Sequence, residues 1–424
     1  MVPSSSSFLS GFFISISSSI LAFFYFLTKL GRRKTGREEN VGERKMPKNI
    51  PEEVIIELLS RLPSKSLVRF RAVCKAWNTL IRDTHFISKH LHQYSPSNDK
   101  NNGGSVLVNY CCPFSRTDVV LLLSSDTHAA ISIFRLPCVM NFESMKVVGS
   151  CNGLLCVTDD ENGPSMRSRI VLWNPSIRKF RVLPKCGVGS ANLRSEKVNG
   201  VVLGFGYHPI VDDYRIVRIV SLQHFGRSCF RAEVYSLRTD SWIEIDAMRC
   251  RIYESYCVAL NGVLYWIAFG RGVEDYEFIL SFDMSDWVFR RIELPDFNFS
   301  EDGICTRLAV LKESLYLITY NHRGRQKVFD VWLRNGHGDW TRELTIGPLF
   351  GIEKPLGFDM YGRVYMENHK GKLDLYNPST QEITHLPTHG LLHTLEVFCY
   401  KESIVSTDQR FEVVEESKNL IMLL

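Results

Sequence analysis

A chain of 424 residues is too long for one ordinary domain and long enough to bury a large core, so two or three units are expected. Hydrophobic residues at 45%, charged at 23% and aromatic at 12% are globular values that exclude a disordered tail, and 26 Phe with 16 Tyr suit a β-rich protein. The net charge of +5 sits at one end: residues 1–50 hold eight Lys and Arg against three Glu, which leaves 43 of each sign in the remainder. A neutral body has no phosphate-neutralising patch, so nucleic acid is not an expected partner.

Residues 1–45 read as an N-terminal extension. Within it, residues 8–28 are uncharged and rich in Phe, Ile and Leu, long enough to span a bilayer as a helix although diluted by five serines. The cluster Lys29, Arg32, Arg33, Lys34 and Arg37 follows, which by the positive-inside rule puts everything after Leu30 on the cytosolic face. The alternative is an upstream extension absent from the working protein, because Met46 begins a stretch like a natural start. Either reading leaves the body in the cytoplasm or nucleus, free or held on the cytosolic face of an internal membrane. The sequon Asn298-Phe299-Ser300 is then silent.

A helical module is expected over 46–94. Pro51, Glu52 and Glu53 suit a helix start, where a missing N–H is harmless and negative charge meets the helix dipole. Val54, Ile55, Leu58, Leu59 and Leu62 then recur at three- and four-residue steps and make one broad apolar face. Pro63 ends that helix, Ser64 is read as the cap of a second with Leu67, Val68 and Phe70, and Val73, Cys74, Trp77, Leu80 and Ile81 continue into a third. So few residues cannot enclose all these groups, so a partner is expected to complete part of the face.

The runs Ile50-Pro51-Glu52-Glu53-Val54-Ile55, Leu59-Ser60-Arg61-Leu62-Pro63 and Ser66–Trp77 closely resemble the F-box, with Ile50 where leucine is commonest and Ala76 where serine is. The resemblance implies docking on the Skp adaptor of a cullin-based ubiquitin ligase. The contacts it implies are Pro51, Ile55, Leu58, Leu59, Leu62, Pro63, Leu67, Arg69, Val73, Cys74 and Trp77, with Trp77 and Phe70 shared between the module's core and the interface.

Residues 95–104 are polar and aperiodic and read as a linker. Beyond them one pattern recurs as a turn, a strand and an aromatic, each copy spanning seven positions. Its copies are Trp173 to Phe180, Tyr235 to Trp242, Phe282 to Phe289, Leu333 to Trp340 and Tyr376 to Ile383. A second pattern, a turn and then an apolar strand, leads most units at Asn152-Gly153, Asn261-Gly262, Lys312-Glu313, Tyr361-Gly362 and Lys401-Glu402, with a divergent copy at Gly204–Val217. Such periods predict a β-propeller over 105–410, followed by a tail at 411–424. Ala130–Pro137 has no leading strand, and the last leader, near Ile404, has no follower. A blade assembled from both ends closes the ring and makes six blades, with five and seven as the neighbouring counts. Leu203–Tyr207, Leu172–Ser176 and Leu264-Tyr265-Trp266 resemble the F-box-associated, kelch-like region of land-plant F-box proteins, although the paired glycines of true kelch repeats are mostly missing.

Twelve cysteines show no C-x-x-C pair and no disulfide framework, so reduced, buried thiols are expected. Packing is the preferred reading of Cys151 and Cys156 over zinc or redox work, and solvated loop residues that of His385, His389 and His393, whose four-residue spacing is broken by Leu386-Pro387. Gly204-Phe205-Gly206 lacks the third glycine of a nucleotide fingerprint. Asp212-Asp213 fits a hairpin turn. No catalytic residue, metal or cofactor is expected. The leading reading is therefore a substrate-recognition subunit of a Skp–cullin–F-box (SCF) ligase, whose propeller loops hold a target protein. The alternatives are a propeller that senses a small ligand or glycan, or an enzymatic propeller.

Overall fold

The computed structural model describes residues 51–93, 105–134, 145–159, 168–188, 196–224, 227–252, 256–270, 276–296, 303–321 and 324–407. The residues up to His90 and those from Leu91 onward form two compact units. Residues 1–50, the linker 95–104, Asn298 and the tail 411–424 lie outside the described residues.

The first unit is built from four short helices: α1 (Glu52–Ser60), α2 (Ser64–Phe70), α3 (Lys75–Arg82) and α4 (Thr84–Gln93). Pro51 and Pro63 stand at the N-caps of α1 and α2 in extended conformation, where a fixed φ and an absent N–H disturb nothing. Asp83 caps α4, its Oδ1 accepting from the backbone N–H of His85 at 2.9 Å and of Phe86 at 3.1 Å. Ile55, Leu59, Leu67, Trp77, Ile81 and Phe86 are buried, and the rings of Phe70 and Trp77 lie 5.6 Å apart.

The second unit is a β-propeller of six four-stranded antiparallel sheets. Blade 1 holds β1 (Ser105–Cys111), β2 (Asp118–Ser124), β3 (Ala130–Phe134) and the last strand of the chain, β24 (Glu396–Tyr400), in the order β24-β1-β2-β3. Blade 2 is β4–β7 (146–182), blade 3 β8–β11 (196–245), blade 4 β12–β15 (258–293), blade 5 β16–β19 (304–350) and blade 6 β20–β23 (352–389). The ring thus closes with strands from both ends of the chain in one sheet, as the repeat arithmetic requires.

One detail differs from the sequence reading. The closing strand is Glu396–Tyr400, and Lys401–Thr407, which holds the expected leader near Ile404, is not a strand. The shared blade is as expected: β24 pairs with β1, Val106 opposite Cys399, and Ile133 lies on β3 at the far edge of the same sheet. Ala130–Pro137 is therefore preceded by two strands of its own blade, which carry no turn signature because β24, the blade's first strand, arrives from the other end of the chain.

Four of the five seven-residue units are cross-strand pairs of the third and fourth strands. Trp173 faces Phe180, Tyr235 faces Trp242, Phe282 faces Phe289 and Tyr376 faces Ile383. In blade 5 the turn, residues 335–339, is one residue longer, so that Leu333 meets Thr341 and Trp340 meets Arg334. The turn between them is held by the side chain after the first large residue: Asn174 and Asn377 Oδ1 each accept the backbone N–H two residues on at 3.0 Å, and Asp283 Oδ1 does so at 2.8 Å. The leading pairs Asn152-Gly153 and Asn261-Gly262 have positive φ at both positions, as a two-residue hairpin requires.

Apolar side chains fill the layers between neighbouring blades; Val217 and Val234 of blade 3, for example, pack with Leu264, Trp266 and Phe282 of blade 4. Gly204 belongs to this layer, because a Cβ there would sit 2.3 Å from Trp266 Cζ2. Its glycine serves close approach of two blades, not a phosphate.

Candidate partner-binding surfaces

The helices divide the residues singled out from the sequence into two sets. Ile55, Leu59, Leu67 and Trp77 are buried in the module, none more than 3% exposed. Pro51, Pro63, Arg69 and Val73 are exposed, and Leu58, Leu62 and Cys74 are half-buried. Val54, which sequence reasoning placed on the apolar face but left out of the contact set, is 45% exposed, close to the 44% of Val73. Its signal was present: a helix of nine residues cannot bury apolar groups at both 54–55 and 58–59 against so few neighbours. Polar contacts fix the module around this surface, with Glu57 bound to Lys89 at 2.8 Å and to Arg61 at 2.7 Å. Those hydrogen bonds, Lys89's first, pull its carboxyl down to about 2.

The two ends of the propeller differ in kind. At one, here the turn end, the first and third strands of each blade pass to the next through two to five residues. At the other, the loop end, the connections run from one residue between β19 and β20 to thirteen between β7 and β8. The polypeptide enters and leaves the ring at the turn end, where β1 begins and β24 finishes.

From there Lys401–Thr407 runs as a strap along blade 2. Asn174 Nδ2 donates to Ser403 O at 3.1 Å and Val405 O at 2.8 Å, and Ser176 Oγ and the Tyr400 hydroxyl are 2.8 Å apart. Ser403, Ile404 and Thr407 have no exposure at all. Gly153 faces this strap, and a Cβ on it would meet Ser403 Oγ at 2.4 Å. The Asn-Pro-Ser motif of blade 2 therefore does more than turn the chain: it holds the ring's closing segment.

At the loop end a buried ion pair pins one of the long connections. Arg218 and Glu233, each 1% exposed, pair across β9 and β10, and Glu233 Oε2 accepts the backbone N–H of Gly187 and of Val188 at 3.0 Å each. Near the axis at the same end, Arg307 on β16 donates to Leu356 O at 3.4 Å and stacks its guanidinium 3.9 Å from the Tyr256 ring centroid. Burial raises the Tyr256 hydroxyl above its ordinary pKa.

The remaining candidates for chemistry take structural places. Asp213 is buried, accepting from Ser236 Oγ at 2.7 Å and Arg215 Nε at 3.1 Å, while Asp212 adopts positive φ in the turn before it. His385, on β23, is open to solvent with Nδ1 2.7 Å from Asp374 Oδ1 on β22. All described cysteines are free thiols, and burial pushes Cys151 up to about 12 and Cys156 higher still. Among the described residues no group of three His, Cys, Asp or Glu is placed to hold a metal. No helix among them is long and apolar enough to cross a membrane, and the uncharged run 8–28 lies outside them.

The helical module leaves apolar surface open, and the six-bladed ring gathers its long connections at one end. Residues 119–383 match the F-box associated beta propeller domain, and residues 48–89 match the F-box domain. The chain belongs to the F-box-associated β-propeller family. It is 27% identical over 393 residues to the F-box/kelch-repeat protein At3g23880 of Arabidopsis thaliana, covering 87% of this chain and 99% of that protein. It is 25% identical over 410 residues to the F-box protein At3g07870 of the same plant, covering 85% and 92%. The land-plant resemblance read from the sequence therefore stands. The crystal structure of TolB from Acinetobacter baumannii overlaps with a TM-score of 0.42 at 13% identity, over 74% of this chain and 70% of that one, too loosely to bear on function.

Proposed function

We propose that the chain is the substrate-recognition subunit of an SCF ubiquitin ligase. The helical module docks on the Skp adaptor, and through it on a cullin–RING core, while the propeller holds a target protein for ubiquitination. Transfer is then accelerated by proximity, and no group on this chain is asked for chemistry. The observation that carries the reading is apolar surface left open on the module that matches the F-box: Val54 and Val73 are nearly half exposed beside Pro51 and Pro63, although the module already has a core of its own. In this reading the contact set is Pro51, Val54, Leu58, Leu62, Pro63, Arg69, Val73 and Cys74, and Ile55, Leu59, Leu67 and Trp77 support it from beneath.

The test is co-expression with a Skp adaptor. Val54→Asp with Val73→Asp should abolish co-purification while leaving the melting of the chain unchanged, because both side chains are exposed. Binding at parental affinity would overturn the assignment. Trp77→Ala is the wrong probe, since removing so buried a ring costs about 3–5 kcal/mol and unfolds the module itself. The site of action follows separately: a full-length fluorescent fusion that fractionates with membranes, beside a fusion from Met46 that does not, would assign residues 8–28 as an anchor on the cytosolic side.

A further inference from the structure

The loop end is not uniform. Over blades 5, 6 and 1 its connections within each blade and from one blade to the next are short: four residues between β17 and β18, one between β19 and β20, three between β21 and β22, and six in each of the β23–β24 and β1–β2 connections. Elsewhere at this end most connections are seven residues or longer.

The short connections are joined to one another by their backbones. Gly351 N donates to Arg325 O at 3.2 Å, His369 N to Gly351 O at 2.9 Å, Gly390 N to Gly371 O at 2.9 Å and Leu391 N to Cys111 O at 2.9 Å. Lys354 Nζ adds a bond to His393 O at 3.2 Å. The result is one continuous, preorganised surface running from Arg325 to the β1–β2 connection.

Two kinds of exposed side chain stand out on it. Phe114 is 90% exposed, Phe350 71% and Leu392 42%, large apolar groups available to a partner. Around them stand the exposed cations Arg116, Arg325, Lys370 and Lys372, with the imidazoles of His369 and His389. The described residues of these connections include no Asp or Glu. The acids on the adjoining strand ends are engaged and not exposed: Asp118 Oδ2 accepts the Met145 N–H at 2.5 Å, Glu353 lies 3.5 Å from Lys327, Glu396 lies 3.9 Å from Lys146, and Glu367, fully buried, accepts the His393 N–H at 2.6 Å and lies 3.3 Å from Lys354. A protein whose body is electrically balanced thus presents cations without exposed counter-charges around apolar anchors.

We propose that this sector is the target-docking surface, and that it takes an acidic segment of a target protein bearing an aromatic or aliphatic anchor. The proposal rests on the receptor reading and names the chemistry of its target. Apolar side chains would be desolvated by the anchor, the cations would steer and register the acidic residues, and the stitched backbone costs little ordering on binding. Nucleic acid also answers to cations, but three large apolar side chains on a flat, neutral body favour a peptide over a phosphate backbone.

The full chain, purified with a Skp adaptor, is panned against a phage-displayed library of random dodecapeptides and, in parallel, titrated with a labelled 20-nucleotide single-stranded RNA. The expected result is enrichment of peptides that combine several Asp or Glu with Phe, Leu or Trp. Their affinity should fall about tenfold or more in Arg116→Glu with Lys370→Glu, and likewise in Phe114→Ser with Phe350→Ser. The first loss should shrink at high salt and the second should not. Selection of peptides without acids, undiminished binding by both variants, no enrichment at all, or tighter binding of the RNA than of any peptide would each overturn the proposal. The adaptor distinguishes the two readings. If both variants retain it but the peptides fail, the docking surface is misplaced and the receptor reading stands; if the peptides bind as expected but the parent chain takes no adaptor, the receptor reading falls and the surface stands as a peptide-binding site.

Discussion

The two ends of the propeller are made by the same strands and obey different rules. The turn end has connections of two to five residues, each fixed by a side-chain cap or a left-handed pair, and it carries the strap that closes the ring. The loop end has connections of one to thirteen residues, pinned at single points such as Glu233 or left open as at Phe114. Geometry is invested at one end and surface at the other, which is how a scaffold can vary what it binds without varying how it closes.

The largest expected effect tests closure. Removing residues 394–424 takes away β24 and the strap, opens blade 1 at the β1 edge and exposes the side of blade 2; the protein should aggregate on size-exclusion chromatography. A truncated chain that stays monomeric with unchanged melting would mean that the ring does not depend on its last strand.

The next effect is at the loop end. Glu233→Ala leaves Arg218 buried without its carboxylate and frees two backbone donors, so unfolding stability should drop by about 3–5 kcal/mol, and Arg218→Met with Glu233→Leu should recover much of it. Equal losses in single and double variants, measured by denaturant unfolding, would show that the pair is not the pin.

A finer comparison uses one motif in two places. Asn174→Ala removes the turn cap and the bonds to Ser403 and Val405 and should cost about 2–3 kcal/mol, whereas Asn377→Ala, which loses a half-exposed cap in blade 6, should cost about 1 kcal/mol or less. Matching costs would remove the special role given to blade 2.

The smallest expected change is Phe114→Ser, within about 0.5 kcal/mol of the parent because the ring touches mostly solvent. A clear loss of stability would mean that Phe114 is packed, and the difference drawn between the two ends would blur.

Much of the turn end was legible in the sequence, because a tight turn is a local event. Residues seven apart, such as Trp173 and Phe180, can pair only if the chain reverses between them, and Asn, Asp, Pro and Gly are the residues that make it reverse. The helical module was legible for the same reason, its apolar steps and prolines being read within a turn or two. What the sequence could not assign was partnership over distance. Val106 meets Cys399 across the whole length of the ring, and no local pattern in Ser105–Cys111 or Lys401–Thr407 marks one as a strand and the other as a strap. That choice is made by the neighbouring blade, where Asn174 offers hydrogen bonds to the strap's carbonyls that another strand would not need.

The same division holds for the surfaces. Spacing alone put Ile55, Leu59, Val54 and Val73 on apolar faces, and amino-acid type cannot say which of them a small core will cover; packing covers the first two and leaves the others in solvent. At the loop end, Arg116, Arg325 and Lys370 are more than two hundred residues apart at the extremes, and each by itself is an ordinary surface cation. The sequence determined the repeating turns and the composition of each connection, since both are local, and it brought the blade count to six within one either way. Only the closed ring decided that the acid-free connections of blades 5, 6 and 1 lie side by side, because their adjacency is a property of the circle and of no segment in it.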